Sequence, residues 1–272
     1  MEHVQAKKSL GQNFLRDANI IDAISTIAEL KSEDRVLEIG PGTGALTARL
    51  LACASSVTAI ELDHEMVLRL EETFRNSEGF SLLEGNILDM DLGAFLVQAG
   101  FEDRGYKVVA NIPYYITAPI IRMLLSLRIR PERIVLMVQE EVADRLTAPP
   151  GRMSLLSLMA QYYADISKEL FVSRTAFYPE PNVDSSVVKL IPKRLFSDET
   201  DRSMFRTARA GFSARRKTLA NNLSSTFRIP RPKIESILTD LGLDSRVRAQ
   251  ELSVEEWMTL SDRITSAILI TE

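Results

Sequence analysis

The sequence predicts an α/β fold with a mostly parallel, seven-stranded sheet, followed by a small all-α C-terminal domain. Two observations indicate this architecture. Short apolar runs alternate with helical patterns up to Pro192, which is typical of a parallel sheet with helices on both faces. After Pro192 only helical patterns follow, so we expect one α/β domain over residues 1–192 and a helical domain over residues 193–272.

Each expected strand is a short apolar run that ends at glycine, polar or acidic residues. The strands are expected at Val36–Ile39, Val57–Ile60, Phe80–Leu83, Lys107–Ala110, Ile134–Val138, Ile166–Val172 and Ser186–Ile191. The last two are close enough in the chain to pair antiparallel at the end of the sheet.

The expected helices have apolar residues at helical spacing and polar residues at their starts. In the first domain, one helix is expected to begin after Asp17, which is its N-cap. The other helices of this domain are expected at Leu46–Cys53, His64–Phe74, Pro119–Leu127 and Met153–Ala164. In the second they cover Met204–Phe212, Arg216–Leu223, Pro232–Leu241 and Val254–Ile268. Ser253 followed by Glu256 predicts a capping box at the last of them.

Composition excludes several classes of protein. The chain has 272 residues, 45% hydrophobic and 26% charged, as in ordinary globular proteins. It has no apolar run long enough to cross a bilayer, and its polar start lacks a signal-peptide core, so a cytoplasmic protein is expected. One cysteine and two histidines predict neither an internal disulfide nor a metal site.

Basic residues concentrate in the C-terminal part of the chain. The net charge is -4, but from Ile191 onward there are 14 Lys/Arg against 11 Asp/Glu. This asymmetry permits a polyanionic partner there, but charge alone favours a solvated helical surface as the explanation.

A glycine turn follows the first expected strand. The segment Gly40-Pro41-Gly42-Thr43-Gly44 leads into a helix, and Glu61 ends the next strand about 20 residues later, where a carboxylate can reach a ribose diol. Glu38 beside the turn suits a cationic sulfonium better than a pyrophosphate, which favours S-adenosylmethionine. NAD remains an alternative, because Gly40, Gly42 and Ala45 also fit the dinucleotide pattern.

The tetrapeptide Asn111-Ile112-Pro113-Tyr114 follows the fourth expected strand. An aromatic exocyclic amine has two N–H donors and a delocalised lone pair. The Asn111 side-chain oxygen and the Ile112 carbonyl would accept both hydrogens and aim that lone pair at a methyl group. Pro113 would stiffen the loop, and Tyr114 would offer a stacking face to the base. Catalysis by positioning is therefore expected here.

Six motifs in this order resemble the KsgA (RsmA) type family of ribosomal RNA adenine dimethyltransferases, from Lys8 to about Leu223. The motifs are Gly11-Gln12-Asn13-Phe14-Leu15, Glu38 to Gly44, Glu61-Leu62-Asp63, Asn111 to Tyr114, Phe177 to Ser185, and Arg215 to Leu219 with Asn221-Asn222-Leu223. The resemblance implies a Rossmann-like S-adenosylmethionine-dependent methyltransferase fold. It also implies dimethylation at N6 of two adjacent adenines near the 3' end of small-subunit (16S) rRNA.

The resemblance also implies roles for individual residues. Cofactor contacts are expected from Asn13, Leu15, Gly40, Gly42, Glu61, Asn86 and Asn111. Phe177 and Tyr114 are expected to enclose the target base, and Arg215, Arg216 and Lys217 to contact phosphates. The family usually has Asp where this chain has Asn86; an amide oxygen can still accept from the cofactor's adenine N6. Asp89 is a candidate substitute for that Asp, although a solvated helix cap is the favoured interpretation.

The resemblance implies a partly assembled small subunit as substrate, and we expect a monomeric enzyme. Within the class, Erm enzymes acting on large-subunit rRNA share Gln-Asn-Phe-Leu, whereas Gly11 and the Arg215 to Leu223 segment favour KsgA. Mitochondrial transcription-factor relatives have a similar core, but this chain has no Arg-rich presequence. A non-catalytic ribosome assembly factor and an NAD-dependent dehydrogenase are the alternatives from other classes.

Overall fold

The computed structural model of the protein describes residues 7, 10–113, 116–193 and 197–269. The chain divides into two compact units, residues 1–144 with 164–193, and residues 145–163 with 194–272. The predicted boundary between residues 192 and 193 lies one residue before the last of the three breaks between these segments. Residues 145–163 precede that boundary but group with the helical unit, because Leu158 and Tyr162 belong to its apolar core.

The first unit contains a seven-stranded sheet, as expected from the sequence. Its strands are β2 (Arg35–Ile39), β3 (Ser56–Glu61), β4 (Phe80–Glu84), β5 (Lys107–Asn111), β6 (Arg133–Gln139), β7 (Ala164–Val172) and β9 (Ser185–Pro192). Their order is β4-β3-β2-β5-β6-β9-β7. The pairs β4–β3, β3–β2, β2–β5 and β5–β6 are parallel. Strand β9 pairs antiparallel with both β6 and β7.

Parallel pairing buries the central strands on both faces, so their sequences are nearly continuous apolar runs. Val36 and Leu37 of β2, and Val108 and Val109 of β5, are fully buried. The register brings Ile39 opposite Ile60 of β3 and Ala110 of β5, so the strands end at a common level. This common level positions the loops that follow them at one edge of the sheet.

The helices of the first unit are α1 (Ala18–Ile27), α2 (Ala45–Leu51), α3 (His64–Thr73), α4 (Leu92–Gln98), α5 (Thr117–Leu125) and α6 (Glu140–Leu146), the last of which ends inside the second unit. Asp17 caps α1 as predicted, accepting from the Asn19 N–H at 2.9 Å. Helices α4 and α6 were not predicted, because each spans only 7 residues and shows little periodicity.

A further two-stranded sheet pairs β1 (Phe14–Leu15) antiparallel with β8 (Phe177–Tyr178). Two residues carry no alternation that a sequence pattern could detect, so these strands were not predicted. The pairing joins Leu15 to Phe177 in register, although 162 positions separate them in the numbering.

The helices of the second unit are α7 (Leu155–Tyr163), α8 (Asp198–Gly211), α9 (Leu219–Phe227), α10 (Arg231–Asp240) and α11 (Val254–Leu269). Their apolar faces surround Trp257, which is fully buried and stacks on Phe212 with ring centroids 5.4 Å apart. The predicted capping box of α11 is confirmed: the Glu256 N–H donates to Ser253 Oγ and the Ser253 N–H to Glu256 Oε2.

Helix α9 begins later than the sequence predicted. Thr218 is its N-cap and accepts from the Asn221 N–H, so Arg215, Arg216 and Lys217 lie in the turn before the helix. The prediction of a helix from Arg216 is therefore wrong in its start, because the Thr218 cap satisfies the N–H group of the third helical residue and the helix begins at Leu219. Within the described residues, none of the helices is long and apolar enough to cross a membrane.

Candidate cofactor and catalytic site

The carboxyl ends of four parallel strands border one pocket in the first unit. Strand β2 leads to Gly40, β3 ends at Glu61, β4 leads to Asn86 and β5 ends at Asn111. Ligands bind at this edge in open α/β sheets. The predicted site residues that line the pocket are Asn13, Leu15, Gly40, Gly42, Glu61, Asn86, Asn111, Ile112, Pro113 and Phe177. Their roles remain predictions.

The turn after β2 requires residues without a side chain. Gly40 has a φ of 67°, and its N–H donates to the Ile60 carbonyl at 2.9 Å. Gly44 has a φ of 82°, and a Cβ atom there would lie 2.7 Å from the Phe74 ring. Only glycine adopts this left-handed conformation without strain. The turn can therefore bring bare backbone close to a ligand.

Glu61 is a buried carboxylate that organises the turn. Its Oε2 accepts from the Gly42 N–H at 3.0 Å, and its Oε1 accepts from the N–H groups of Leu62 and Asp63. Burial raises the pKa of the Glu61 carboxyl, and these three donors oppose that shift. Oε2 has one described donor, so it keeps a lone pair for a ligand hydroxyl.

Glu38 is the second buried carboxylate, 1% exposed at the end of β2. Burial raises the pKa of Glu38 to about 8, and the negative charge of Glu61 contributes to the increase. The nearby Thr47 hydroxyl lowers the pKa of Glu38, although this hydroxyl does not reach hydrogen-bond geometry with the carboxyl group. Glu38 Oε2 has no hydrogen-bond partner among the described residues. A buried carboxylate without a partner is costly, and it suits a cationic ligand group.

Asn111 lies next to the glycine turn. Its Nδ2 donates to the Asn13 carbonyl at 3.4 Å, and a Cβ atom at Gly40 would lie 3.9 Å from the Asn111 carbonyl oxygen. Because Nδ2 faces a carbonyl, Oδ1 is left as the free acceptor of this amide, and Asn111 lines the pocket. Asn13 in turn donates from its own Nδ2 to the Gly11 carbonyl at 3.2 Å.

Aromatic residues of the small sheet close another side of the pocket. Phe177 is 5% exposed, and its strand pairing with Leu15 restrains its backbone. Phe14 lies 3.2 Å from the position of a Cβ atom at Gly42. Phe177 lies in β8, a two-residue strand that pairs with β1. Tyr114, its expected partner around the target base, lies outside the described residues.

Asn86 follows β4 and forms a closed local network. Its Oδ1 accepts from the Leu88 N–H at 3.1 Å, and its Nδ2 donates to Asp89 Oδ2 at 2.8 Å. The expectation that Asp89 caps a helix is wrong. Asp91 is the N-cap of α4 and accepts from the Ala94 N–H at 3.0 Å, because it directly precedes the helix.

Three polar residues near the pocket were not predicted to act there. Lys7 Nζ and Gln12 Nε2 each donate to Asp63, both at 2.7 Å, so Asp63 ties the segment before β1 to the end of β3. The Lys7 and Gln12 contacts lower the pKa of the Asp63 carboxyl, although desolvation opposes them and is the largest single effect. Gln12 and Asp63 belong to motifs that the sequence shows, but the two residues are 51 positions apart, so the sequence does not indicate that they touch.

The turn directly before α9, in the helical unit, contains three basic residues that are not part of a helix: Arg215, Arg216 and Lys217. All three side chains are exposed. None of them forms an ion pair with a described residue. Free guanidinium and ammonium groups of this kind can contact phosphates.

Comparison with protein families matches residues 3–266 to the model for ribosomal RNA adenine dimethylase. A relative from Dehalococcoides mccartyi (strain CBDB1), ribosomal RNA small subunit methyltransferase A, is 42% identical over 94% of this chain and 88% of its own. The protein of the same name from Lactiplantibacillus plantarum is 41% identical over 98% of this chain and 93% of its own.

Two solved structures are similar over most of the chain. A dimethyladenosine transferase from Plasmodium falciparum has a TM-score of 0.76 and 27% identity, covering 93% of this chain and 98% of that one. The 23S rRNA methyltransferase ErmE has a TM-score of 0.73 and 26% identity, covering 93% of this chain and 100% of that one. Both similarities extend through the sheet and the C-terminal helices.

Proposed function

Because this chain belongs to the ribosomal RNA adenine dimethylase family, we propose that the pocket at the ends of β2 to β5 is its methyl-transfer site. The protein is an S-adenosylmethionine-dependent methyltransferase that dimethylates adenine in small-subunit rRNA. The observation that supports the site is the meeting of Glu38, Glu61 and Asn111 around one glycine turn.

The residues present fit S-adenosylmethionine. The unpartnered Oε2 of Glu38 suits a cationic group, and the free lone pair of Glu61 suits a ribose hydroxyl. Gly40 leaves room for close approach of the ligand to the backbone. When bound, the cofactor supplies an electrophilic methyl group on a sulfonium.

Strand order arranges the parts of the cofactor. Neighbouring strands lie about 4.8 Å apart, so adjacent strand ends contact adjacent parts of one ligand. With the ribose held by Glu61 at the end of β3, Asn86 after β4 would hold the purine, and Gly40 and Asn111 would hold the methionine part. Asn13 and Leu15 border the methionine side, since β1 lies beside Asn111.

Asn111 positions the target amine. Its Oδ1 accepts one amine hydrogen and the Ile112 carbonyl accepts the other, which draws both hydrogens to one side and directs the nitrogen lone pair to the methyl. The Asn13 carbonyl holds the Asn111 amide in this orientation. Phe177 offers an aromatic face to the base. No general base is required before attack, because the nitrogen becomes acidic only once it has gained the methyl.

The substrate is a partly assembled small subunit, and the enzyme acts as a cytoplasmic monomer. The free charges of Arg215, Arg216 and Lys217 support contact with rRNA phosphates by the helical unit. A protein with a net charge of -4 has to bind RNA through such local basic surface.

Methyl transfer from labelled S-adenosylmethionine to small subunits lacking the modification tests this function. Asn111→Ala is expected to lower the rate about 100-fold or more, while cofactor affinity stays within about threefold of wild type. Mapping of methylated adenines in rRNA should find two adjacent N6,N6-dimethyladenines near the 3' end. Binding to subunits without any incorporation would instead indicate a non-catalytic assembly factor.

Asn111→Ala has a control in Asn19→Ala, which alters an exposed asparagine on α1. That variant should methylate at the wild-type rate. Full activity in Asn111→Ala would contradict the amine-positioning role, while loss of cofactor binding would indicate a structural role instead.

A further inference from the structure

The orientation of the Asn86 amide is determined by its two neighbours. A backbone N–H can only donate and a carboxylate can only accept. The Leu88 N–H therefore requires Oδ1 at its position, and Asp89 Oδ2 requires Nδ2 at 2.8 Å. A rotation of the amide by 180° would break both contacts, so Asp89 and Leu88 together select one of two orientations.

The fixed amide keeps one acceptor and one donor for a ligand. Oδ1 has two lone pairs, of which the Leu88 N–H takes one, and Nδ2 has two hydrogens, of which Asp89 takes one. The edge of a 6-aminopurine presents an N6–H donor beside the N1 acceptor. A 6-oxopurine presents the reverse, an O6 acceptor beside an N1–H donor. Only the 6-aminopurine matches the amide in the orientation that the structure shows.

Asp89 also explains why Asn is acceptable at position 86. An aspartate there would place a second carboxylate within about 3 Å of Asp89, and like charges at that distance repel strongly. The amide replaces this repulsion with a charge-assisted hydrogen bond. The pair Asn86 and Asp89 therefore acts as one unit beside the pocket.

We propose that Asp89 is a positioning residue that holds the Asn86 amide so that the cofactor site selects a 6-aminopurine over a 6-oxopurine. The inference rests on the proposed function, because it takes the purine of the cofactor to lie over the end of β4. Asp89 itself is exposed and does not line the pocket, so it acts only through Asn86.

Binding of S-adenosylhomocysteine and S-inosylhomocysteine to the full chain tests the proposal. Wild type should prefer the adenosyl ligand. Asp89→Ala should weaken adenosyl binding about tenfold, as expected for loss of a hydrogen bond to a charged group, and should lower the preference by a similar factor. The KM for S-adenosylmethionine should rise while kcat at saturation stays near wild type. A merely structural role of Asp89 would leave the ratio of the two affinities unchanged.

Asp91→Ala is the matched control, because Asp91 lies two positions away and caps α4 without touching Asn86. It should keep the wild-type preference. Asn86→Asp should weaken adenosyl binding, and Asn86→Asp with Asp89→Ala should restore part of it by removing the repulsion.

If the ratio of adenosyl to inosyl affinity is unchanged in Asp89→Ala, or if the double variant shows no rescue, the role of Asp89 is overturned and the proposed function is unaffected. Failure of the wild-type protein to bind S-adenosylhomocysteine would overturn the proposed function and this inference together.

Discussion

Three buried polar side chains in the core of the helical unit have hydrogen-bond partners, whereas one buried carboxylate in the pocket of the first unit has an oxygen without one. In the core of the helical unit, Trp257 Nε1 donates to the Ala249 carbonyl, the Tyr162 hydroxyl donates to Asp201, and Asn222 Nδ2 donates to the Gly211 carbonyl. In the pocket of the first unit, Glu38 is equally buried, yet one of its oxygens has no partner among the described residues.

Lack of a partner does not by itself mark a ligand site, since the buried Thr207 hydroxyl of α8 also has none among the described residues; Glu38 differs in being a carboxyl group that lines the pocket. A buried polar group with a partner contributes to stability, whereas an unpaired carboxylate lowers it. Such a cost is typical of a functional site. Substitutions in the helical core should therefore change stability, and substitutions in the pocket should change binding and its pH dependence.

The largest expected effect is in the helical core. Trp257→Ala should lower the free energy of unfolding by about 3–5 kcal/mol, because it leaves a cavity beside Phe212 and Gly211. Denaturant unfolding followed by circular dichroism measures the change. Met258→Ala, at a half-buried neighbour, should cost clearly less. Equal losses in the two variants would break the contrast between a packed core and its surroundings.

Glu38→Gln should flatten the pH dependence of stability. The pKa of Glu38 rises from 4.5 to about 8 on folding, so the folded chain keeps a proton that the unfolded chain releases. The contribution is complete below pH 4.5 and is lost as the pH rises through about 8. Between pH 6 and 8 the free energy of unfolding of the variant should rise by about 2–3 kcal/mol relative to that of wild type.

The same carboxyl should couple cofactor binding to proton release, since a cation beside Glu38 favours its ionised form. Calorimetry of S-adenosylmethionine binding without RNA, in buffers of different ionisation enthalpy, measures this release, which Glu38→Gln should abolish. Glu71→Gln, at an exposed position on α3, serves as the control. Parallel stability profiles for wild type and Glu38→Gln would show that Glu38 is not the titrating group.

Glu61→Gln should weaken cofactor binding by about 2 kcal/mol, or roughly 30-fold, the usual effect of losing hydrogen bonds to a charged group. The amide nitrogen can accept neither from a ribose hydroxyl nor from the Gly42 N–H. Titration with S-adenosylhomocysteine measures the affinity, and the exposed Glu65→Gln should remain at the wild-type value. Unchanged affinity in Glu61→Gln would remove its ribose role.

The smallest effect is expected at the turn before α9. Arg216→Gln should weaken binding to small subunits by about 1 kcal/mol or less and lower the slope of log affinity against log salt by about 1. Lys233→Gln removes an equal charge from the exposed surface of α10. If the two variants reduce the salt slope equally, the contact is a general effect of charge and not a feature of the turn.

Sequence patterns by themselves determined the seven strands of the main sheet, the glycine turn and the residues that follow the strand ends. Apolar runs, helical spacing and capping residues act within a few positions of one another, so they can be detected along the chain. The capping box at Ser253 and the antiparallel pairing of the last two strands were predicted on the same basis and are confirmed.

Tertiary structure alone decided the features that depend on distant contacts. The pairing of Leu15 with Phe177, the anchoring of Gln12 on Asp63 and the grouping of residues 145–163 with the helical core all join segments far apart in the chain. The unpartnered oxygen of Glu38 is a property of its surroundings, not of its residue type. Hydrogen-bond partners and burial arise only when the chain has folded, because both depend on which groups the packing brings together.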